Sequence, residues 1–303
     1  MGGRAVKIIN GIVNSAVLTV IILLLVFAGY ALWDSNQIFK EADKSHYAVY
    51  KPTVEDEGKS FKELQAVNAD IIAWLSVYGT NIDYPVTQGR DNMKYVDTNA
   101  EGRYSLSGSI FLDCNNNKNF NDFNNILYGH HMANKVMFGE IESFSDKKMF
   151  GSHRYGNLYF DGKDHGIEFF AYIHTSAYDA AVFTPNIDED ERQAYLNNLL
   201  TNAIHKRDVE VTTEEHIILL STCSSDSTNG RDILIGKITG EVYEDSFLNT
   251  EINDGKNSAD NQSGVVKETC PPGFISAVLL IVLISVIYYR YRKYRRYRTK
   301  KKG

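Results

Sequence analysis

Ile217-Ile-Leu-Leu-Ser-Thr-Cys223, followed by Asn229-Gly-Arg231 and Ile233-Leu-Ile-Gly-Lys-Ile238, is the stretch that decides how this chain folds. Ile217–Leu220 is a short, continuous run of branched apolar residues, the pattern of a buried strand. It delivers one thiol to its own end. Asn229-Gly230 marks a turn, and the second run reads as another strand, so the Arg at its start is expected beside the thiol. Ser224, Ser225, Asp226 and Ser227 follow Cys223 directly, which places the thiol at a surface rim.

Upstream, the same kind of segment recurs. Ile71–Val77 and Ile82–Val86 read as strands around Gly79-Thr80. Ser109–Leu112 and Asn125–Tyr128 are two more, separated by a polar, Asn-rich loop from Asn115 to Asn124. Asn157–Phe160 and Gly166–His174 continue the series. Two stretches differ. Ser60-Phe-Lys-Glu63 has capping-box spacing with Phe61, Leu64 and Val67 behind it, which predicts a short helix. Asp188–Glu191 supplies negative charge for a helix N-terminus, and Tyr195, Leu196, Leu199, Leu200, Ala203 and Ile204 recur at helical spacing, which predicts a helix to about His205. Many short strands with close turns and one inserted helix indicate a mostly β domain over 60–243, closed into a barrel that leaves no exposed edge.

The ends of the 303-residue chain have another character. Ile8–Trp33 is almost wholly apolar and long enough to span a bilayer. It follows Arg4 and Lys7 with no clear small-residue cleavage site, so residues 1–33 read as a cytoplasmic N-terminus and an uncleaved signal anchor. Residues 34–59 read as a polar stalk and 244–273 as a polar linker. A second apolar run, 274–289, follows Pro271-Pro272-Gly273 and reads as a second transmembrane helix. The tail, 290–303, has nine Lys or Arg and no acid. Lys and Arg collect on the cytoplasmic side of membrane spans, so both termini are expected in the cytoplasm and the middle domain outside the cell. The tail's place directly after an apolar run suits anionic lipid headgroups better than nucleic acid. All 38 acidic residues, but only 21 of the 32 basic ones, lie between the two runs. A domain with that negative surplus is a poor partner for polyanions.

Three scattered cysteines, Cys114, Cys223 and Cys270, are too few and too odd in number for a disulfide framework. No Cys-x-x-Cys or His-x-x-x-His spacing occurs, so no metal site and no cofactor are expected. The chemistry rests on three elements. A nucleophilic Cys needs a thiolate, favoured by a nearby base or cation. Tyr128-Gly-His-His-Met132 places His130 and His131 on a loop at a strand end, and chemistry alone does not choose between them. Arg231 keeps its charge at any working pH and offers several donors for an oxyanion. Its alternative is a surface pairing with Asp226 or Asp232.

Together these elements resemble the sortase family, and its class B branch in particular. The matching segments are Trp74-Leu75, Ile82–Val86, Gln88–Asn92, Gly108–Asp113, Tyr128-Gly-His130 with Met137–Gly139, and Leu220-Ser-Thr-Cys223 with Arg231. The inserted helix before the Cys strand also resembles class B. The resemblance implies a sortase-like β-barrel and a cysteine transpeptidase of a Gram-positive cell surface. Cys223 would be the nucleophile, His130 rather than His131 the general acid and base, and Arg231 the group that holds the oxyanion or substrate. Ser221, Thr222 and Asn92 would line the substrate groove. The partners implied are surface proteins or pilins with a C-terminal sorting signal such as Leu-Pro-x-Thr-Gly, and an amine acceptor, either a cell-wall precursor or a pilin Lys. Leu219 stands where the family often has Thr, and Ser225 where class B often has an aromatic. The second span is unusual for class B and resembles pilus-building sortases. Two other readings use the same residues: a papain-like hydrolase passing the acyl group to water, and a membrane-tethered binding module with an incidental thiol.

Overall fold

The structure, a computed structural model, describes residues 2–53, 57–223 and 229–248. It comprises two compact units. The described part of the first is the N-terminal segment up to Trp33, and the second begins at Asp34.

The first unit is the apolar part of one long helix, α1 (Gly2–Ala42). At about 1.5 Å of rise per residue, it is long enough to cross a membrane. Its mean hydropathy reaches 2.6, and no other helix among the described residues meets that test. The expected second span at 274–289, the basic tail and Cys270 lie outside the described residues.

In the second unit, the expected stalk is in part packed structure. The last turns of α1 carry the chain to Ala42. Two short 3₁₀ turns follow, Lys44–His46 and Ala48–Tyr50. The Asp43 carboxylate caps the first by accepting from the Ser45 amide at 2.8 Å. Ala42 and Tyr47 are buried in the main core. These residues supply apolar surface that a solvated stalk would leave in water.

Helix α2 (Lys59–Val67) buries Phe61 and Leu64. Its cap is not Ser60 but Gly58, at φ 69°. A side chain at Gly58 would collide with the Tyr159 hydroxyl, 2.2 Å from the position of a Cβ. The Ser60 hydroxyl donates instead to the Lys51 carbonyl at 3.1 Å.

Nine strands follow among the described residues: β1 (Ile71–Val77), β2 (Asp83–Thr87), β3 (Ile110–Leu112), β4 (Asn124–Tyr128), β5 (Tyr155–Phe160), β6 (Lys163–Ser176), β7 (Ala203–Lys206), β8 (His216–Cys223) and β9 (Gly230–Thr239). The order β5-β1-β2-β3-β4-β8-β9-β6 closes on itself through a β5–β6 pairing, giving an eight-stranded barrel. The β2–β3 and β4–β8 pairs are parallel and the rest antiparallel. The main core takes side chains from all eight strands. A second cluster lies beneath helix α3 (Arg192–Thr201). Ile218 and Leu220 belong to the first cluster and Ile217 and Leu219 to the second. That two-sided burial is why the run before Cys223 is continuously apolar rather than alternating.

The inserted helix is shorter than its periodicity predicts. It ends at Thr201, and Ala203–Lys206 form β7 along one edge of β6. β5 covers that edge only from Lys163 to Glu168, so β6 backbone groups further along need partners. The Arg207 guanidinium fastens the new strand by donating to the carbonyls of Phe169 at 2.6 Å, His153 at 3.2 Å, and Phe150. The expected linker also starts docked. Its Phe247 stacks on His153 with centroids 4.7 Å apart, just after Tyr243, the last residue of the expected domain, stacks on Tyr155 at 4.0 Å.

Candidate active site

Two ladders meet at the end of β8. In the parallel β4–β8 pair, Tyr128 is the partner of Ser221. The Gly129 amide extends the ladder by donating to the Ser221 carbonyl at 3.2 Å. His130 lies two residues past Tyr128 and Cys223 two past Ser221, so the parallel register brings both to the same level at one rim. In the antiparallel β8–β9 pair, Cys223 is the direct partner of Arg231. The three residues expected to carry the chemistry therefore converge through the register of β4, β8 and β9.

His130 is held on a tight turn. At Gly129 a Cβ would sit 2.7 Å from the Phe138 ring, so only glycine allows the ring to pack there. The Phe138 amide donates to the His130 carbonyl at 3.1 Å, and His131 bridges to Met137. The His130 Nε2 lies 2.7 Å from the Val96 carbonyl. A carbonyl can only accept, so Nε2 carries the hydrogen and Nδ1 is left for proton transfer. His131 is committed elsewhere, with Nε2 2.8 Å from the Glu142 carboxylate.

Arg231 is half-buried, and its Nη1 donates to the Gly230 carbonyl at 2.8 Å. Asp232, one of its expected alternative partners, faces away. The Asp232 carboxylate is 3 % exposed, accepts from the Tyr172 hydroxyl at 2.7 Å and lies 3.0 Å from His174 Nδ1. Asp226, the other alternative, lies outside the described residues.

The expected groove residues stand differently. Ser221 and Thr222 are each 1 % exposed, and their buried hydroxyl oxygens have no hydrogen-bond partner among the described residues. Both lie on β8, which is covered on both faces. Asn92 is half-buried and fully used. It donates to the Asp113 carboxylate at 2.8 Å and accepts from the Cys114 amide at 2.8 Å. That role is bracing of the turn after β3.

Tyr128 and Asp113 were not singled out from the sequence. The Tyr128 hydroxyl donates to the same Asp113 oxygen at 3.1 Å. Burial and the Asp113 charge push the phenol well above its ordinary pKa, against a smaller opposing pull from Arg231. Its ring lies against Phe111, at 5.4 Å, and Phe183, at 6.2 Å. Both Tyr128 and Asp113 sit inside matched segments, but nothing in local spacing says that they meet. Cys114 is a half-buried free thiol, its pKa raised by burial and by Asp113. No cluster of three metal-ligating side chains occurs among the described residues.

No protein-family model matches the chain. It is 32% identical to sortase B of Staphylococcus aureus over 183 residues, 59% of this chain and 74% of that one. The chain belongs to the class B sortases. Among solved structures it is similar to sortase B from the type II pilus of Streptococcus pneumoniae, with 46% identity, a TM-score of 0.53, and coverage of 60% of this chain and 99% of that one. It is also similar to a Streptococcus pyogenes class B sortase involved in pilus biogenesis, with 40% identity, a TM-score of 0.56, and coverage of 60% and 99%. This sortase is accordingly a cysteine transpeptidase with the family's closed barrel. The hydrolase and binding-module readings give way to that assignment.

Proposed function

We propose that this sortase cleaves a Leu-Pro-x-Thr-Gly-like sorting signal and transfers the acyl group to an amine, with Cys223 as nucleophile, His130 as general acid and base, and Arg231 as the oxyanion or substrate anchor. The observation that carries the proposal is the shared rim: one register links β4 to β8 and another links β8 to β9. The Cys223 thiolate attacks the Thr carbonyl carbon, and Arg231 stabilises the negative oxygen that forms. The Thr–Gly C–N bond breaks as the His130 imidazolium gives its proton to the leaving amine, leaving a thioester. An incoming amine attacks the thioester, His130 takes a proton from it, and the thiolate departs.

The likeness to two pilus sortases supports a pilin Lys as the amine. A cell-wall precursor is the other acceptor of the same chemistry. α1 serves as membrane anchor, and the basic tail keeps both termini cytoplasmic with the barrel outside. Reporter fusions at each terminus test that topology.

The deciding experiment incubates the protein with a sorting-signal peptide, with and without an amine acceptor, and identifies products by mass. A new amide only when the amine is present is the expected result. A free acid in equal yield under both conditions would overturn transfer. Activity retained by Cys223→Ala or His130→Ala would overturn the assignment of that residue.

A further inference from the structure

His130 is tied to the fold by two connections, and both lead to the end of α1. The first starts at its ring, which donates to the Val96 carbonyl. The chain continues from Val96 into an excursion closed by the Ser105 amide donating to the Asp97 carbonyl at 3.0 Å. The Ser105 hydroxyl donates to Glu41 on α1 at 3.2 Å. Ala100, in the same excursion, shares the core with Ala42 and Tyr47.

The second starts at the His130 backbone, which is paired with Phe138. The adjacent Met137 amide donates to the Tyr84 hydroxyl at 3.1 Å, and that hydroxyl donates to the carbonyl of Ala42, the last residue of α1, at 2.9 Å. Tyr84 is 1 % exposed. Burial raises its pKa, so the phenol stays protonated and can donate at any working pH. The loop it holds is unusual. Asn134, Lys135 and Met137 have φ of 59°, 59° and 53°, the left-handed region that non-glycine residues avoid. Such a conformation persists only where its surroundings enforce it. The junction is tight: a cavity of about 10 Å³, lined by Glu41, Tyr47, Tyr84, Ala100 and Met137 among others, has room for at most one water.

We propose that Tyr84 is a positioning residue for His130, and that through its hydroxyl the end of α1 forms part of the support of the active site. The inference rests on the acid–base role given to His130 above. Packing alone does not need the hydroxyl, since phenylalanine would fill the same volume. What the hydroxyl adds is a fixed distance between Ala42 and Met137, and so a fixed backbone for the strained turn that follows His130.

The test compares Tyr84→Phe and His130→Ala with the wild type in the full-length chain. Tyr84→Phe is expected to lower kcat about tenfold, the scale of a slightly misplaced catalytic group. KM should stay within about twofold, because no substrate contact is removed. The kcat–pH profile of Tyr84→Phe should be displaced from that of the wild type. Unchanged kcat and pH profile in Tyr84→Phe, with His130→Ala inactive, would overturn this inference and leave the proposed function standing. An active His130→Ala would overturn both. If Tyr84→Phe does not fold, Ser105→Ala loosens the other connection without touching the barrel core. It should lower kcat in the same direction by roughly threefold, about the worth of one hydrogen bond, and wild-type kcat there would overturn the inference.

Discussion

Cys223 on β8 and Arg231 on β9 are direct partners in an antiparallel ladder that also pairs Leu220 with Leu234 and Ile218 with Gly236. A one-residue slip of that ladder would send Arg231 to the opposite face. The apolar pairs behind the rim therefore fix which residue stands opposite Cys223 in the ladder. On the other side of β8, the parallel ladder to β4 sets the height of His130.

Cys223→Ala is expected to abolish turnover of a sorting-signal peptide in a domain that melts like the wild type. Cys114→Ala should remain active. In Cys223→Ala protein, Cys114 should alkylate slowly at neutral pH, because burial and the Asp113 charge disfavour its thiolate. Its labelling should speed up only as pH rises past the ordinary thiol range. Rapid labelling of Cys114 at neutral pH would contradict that environment.

Arg231→Lys keeps the charge and loses the planar fork. A donor aimed at a developing oxyanion contributes about 10²- to 10³-fold to kcat, and lysine cannot reproduce the guanidinium geometry. Steady-state kinetics should show a loss approaching that scale. Wild-type kcat would remove Arg231 from the reaction.

Asp70 braces the short turn Lys94–Val96 that presents the Val96 carbonyl to His130. Its carboxylate accepts from the Lys94 ammonium at 2.5 Å and the Tyr95 hydroxyl at 2.8 Å. The Lys94 bond leads in holding its pKa below the ordinary value. A folded-state carboxyl pKa below the unfolded one adds stability above the unfolded pKa, and that stability is lost as pH falls through the folded pKa. The wild type should thus lose melting temperature below about pH 4 more steeply than Asp70→Asn. Both side chains of the ion pair are more than a third exposed, at 44% and 37%. Salt should shrink the difference. Parallel melting curves against pH would contradict the pairing.

Arg207→Ala removes one side chain from three backbone carbonyls at once and from the face of the Phe150 ring, 4.0 Å away. The expected loss is roughly 2–3 kcal/mol, since charge-assisted bonds to buried groups are the stronger kind. Hydrogen exchange should rise first along Ala203–Lys206. A shift in global stability with β7 still protected would mean that the strand is held by β6 alone.

Much of the barrel was legible in local pattern. The strand expected at Ile71–Val77 has those bounds, and the strand cores at Asn125–Tyr128, Asn157–Phe160 and Ile233–Ile238 differ from the observed strands only at their ends. Runs of branched and aromatic residues between turn signals carry that information because each strand needs only its own apolar faces to declare itself. The misreadings share one cause. Ala203 and Ile204 continue a helical period, yet an uncovered edge of β6 recruits them into β7. Ser60 has the chemistry of a cap, yet the Lys51 carbonyl takes its hydroxyl. Ala42 and Tyr47 lie in a polar stretch, yet the barrel offers them a buried site.

By itself the amino-acid sequence determined that one thiol stands at the end of a buried strand, that an Arg opens the next strand, and that an apolar segment able to span a bilayer precedes a β-rich domain. These are properties of composition and short-range spacing. Only the tertiary structure decided that β4 lies beside β8, at a separation of almost a hundred residues, with Tyr128 level with Ser221. Only it placed the Val96 carbonyl on the His130 ring, and Tyr84 between Ala42 and Met137. Those contacts join segments that no local period relates. They form because closing the barrel pairs each of its eight strands with two neighbours, and that closure brings the His130 turn and the end of α1 together.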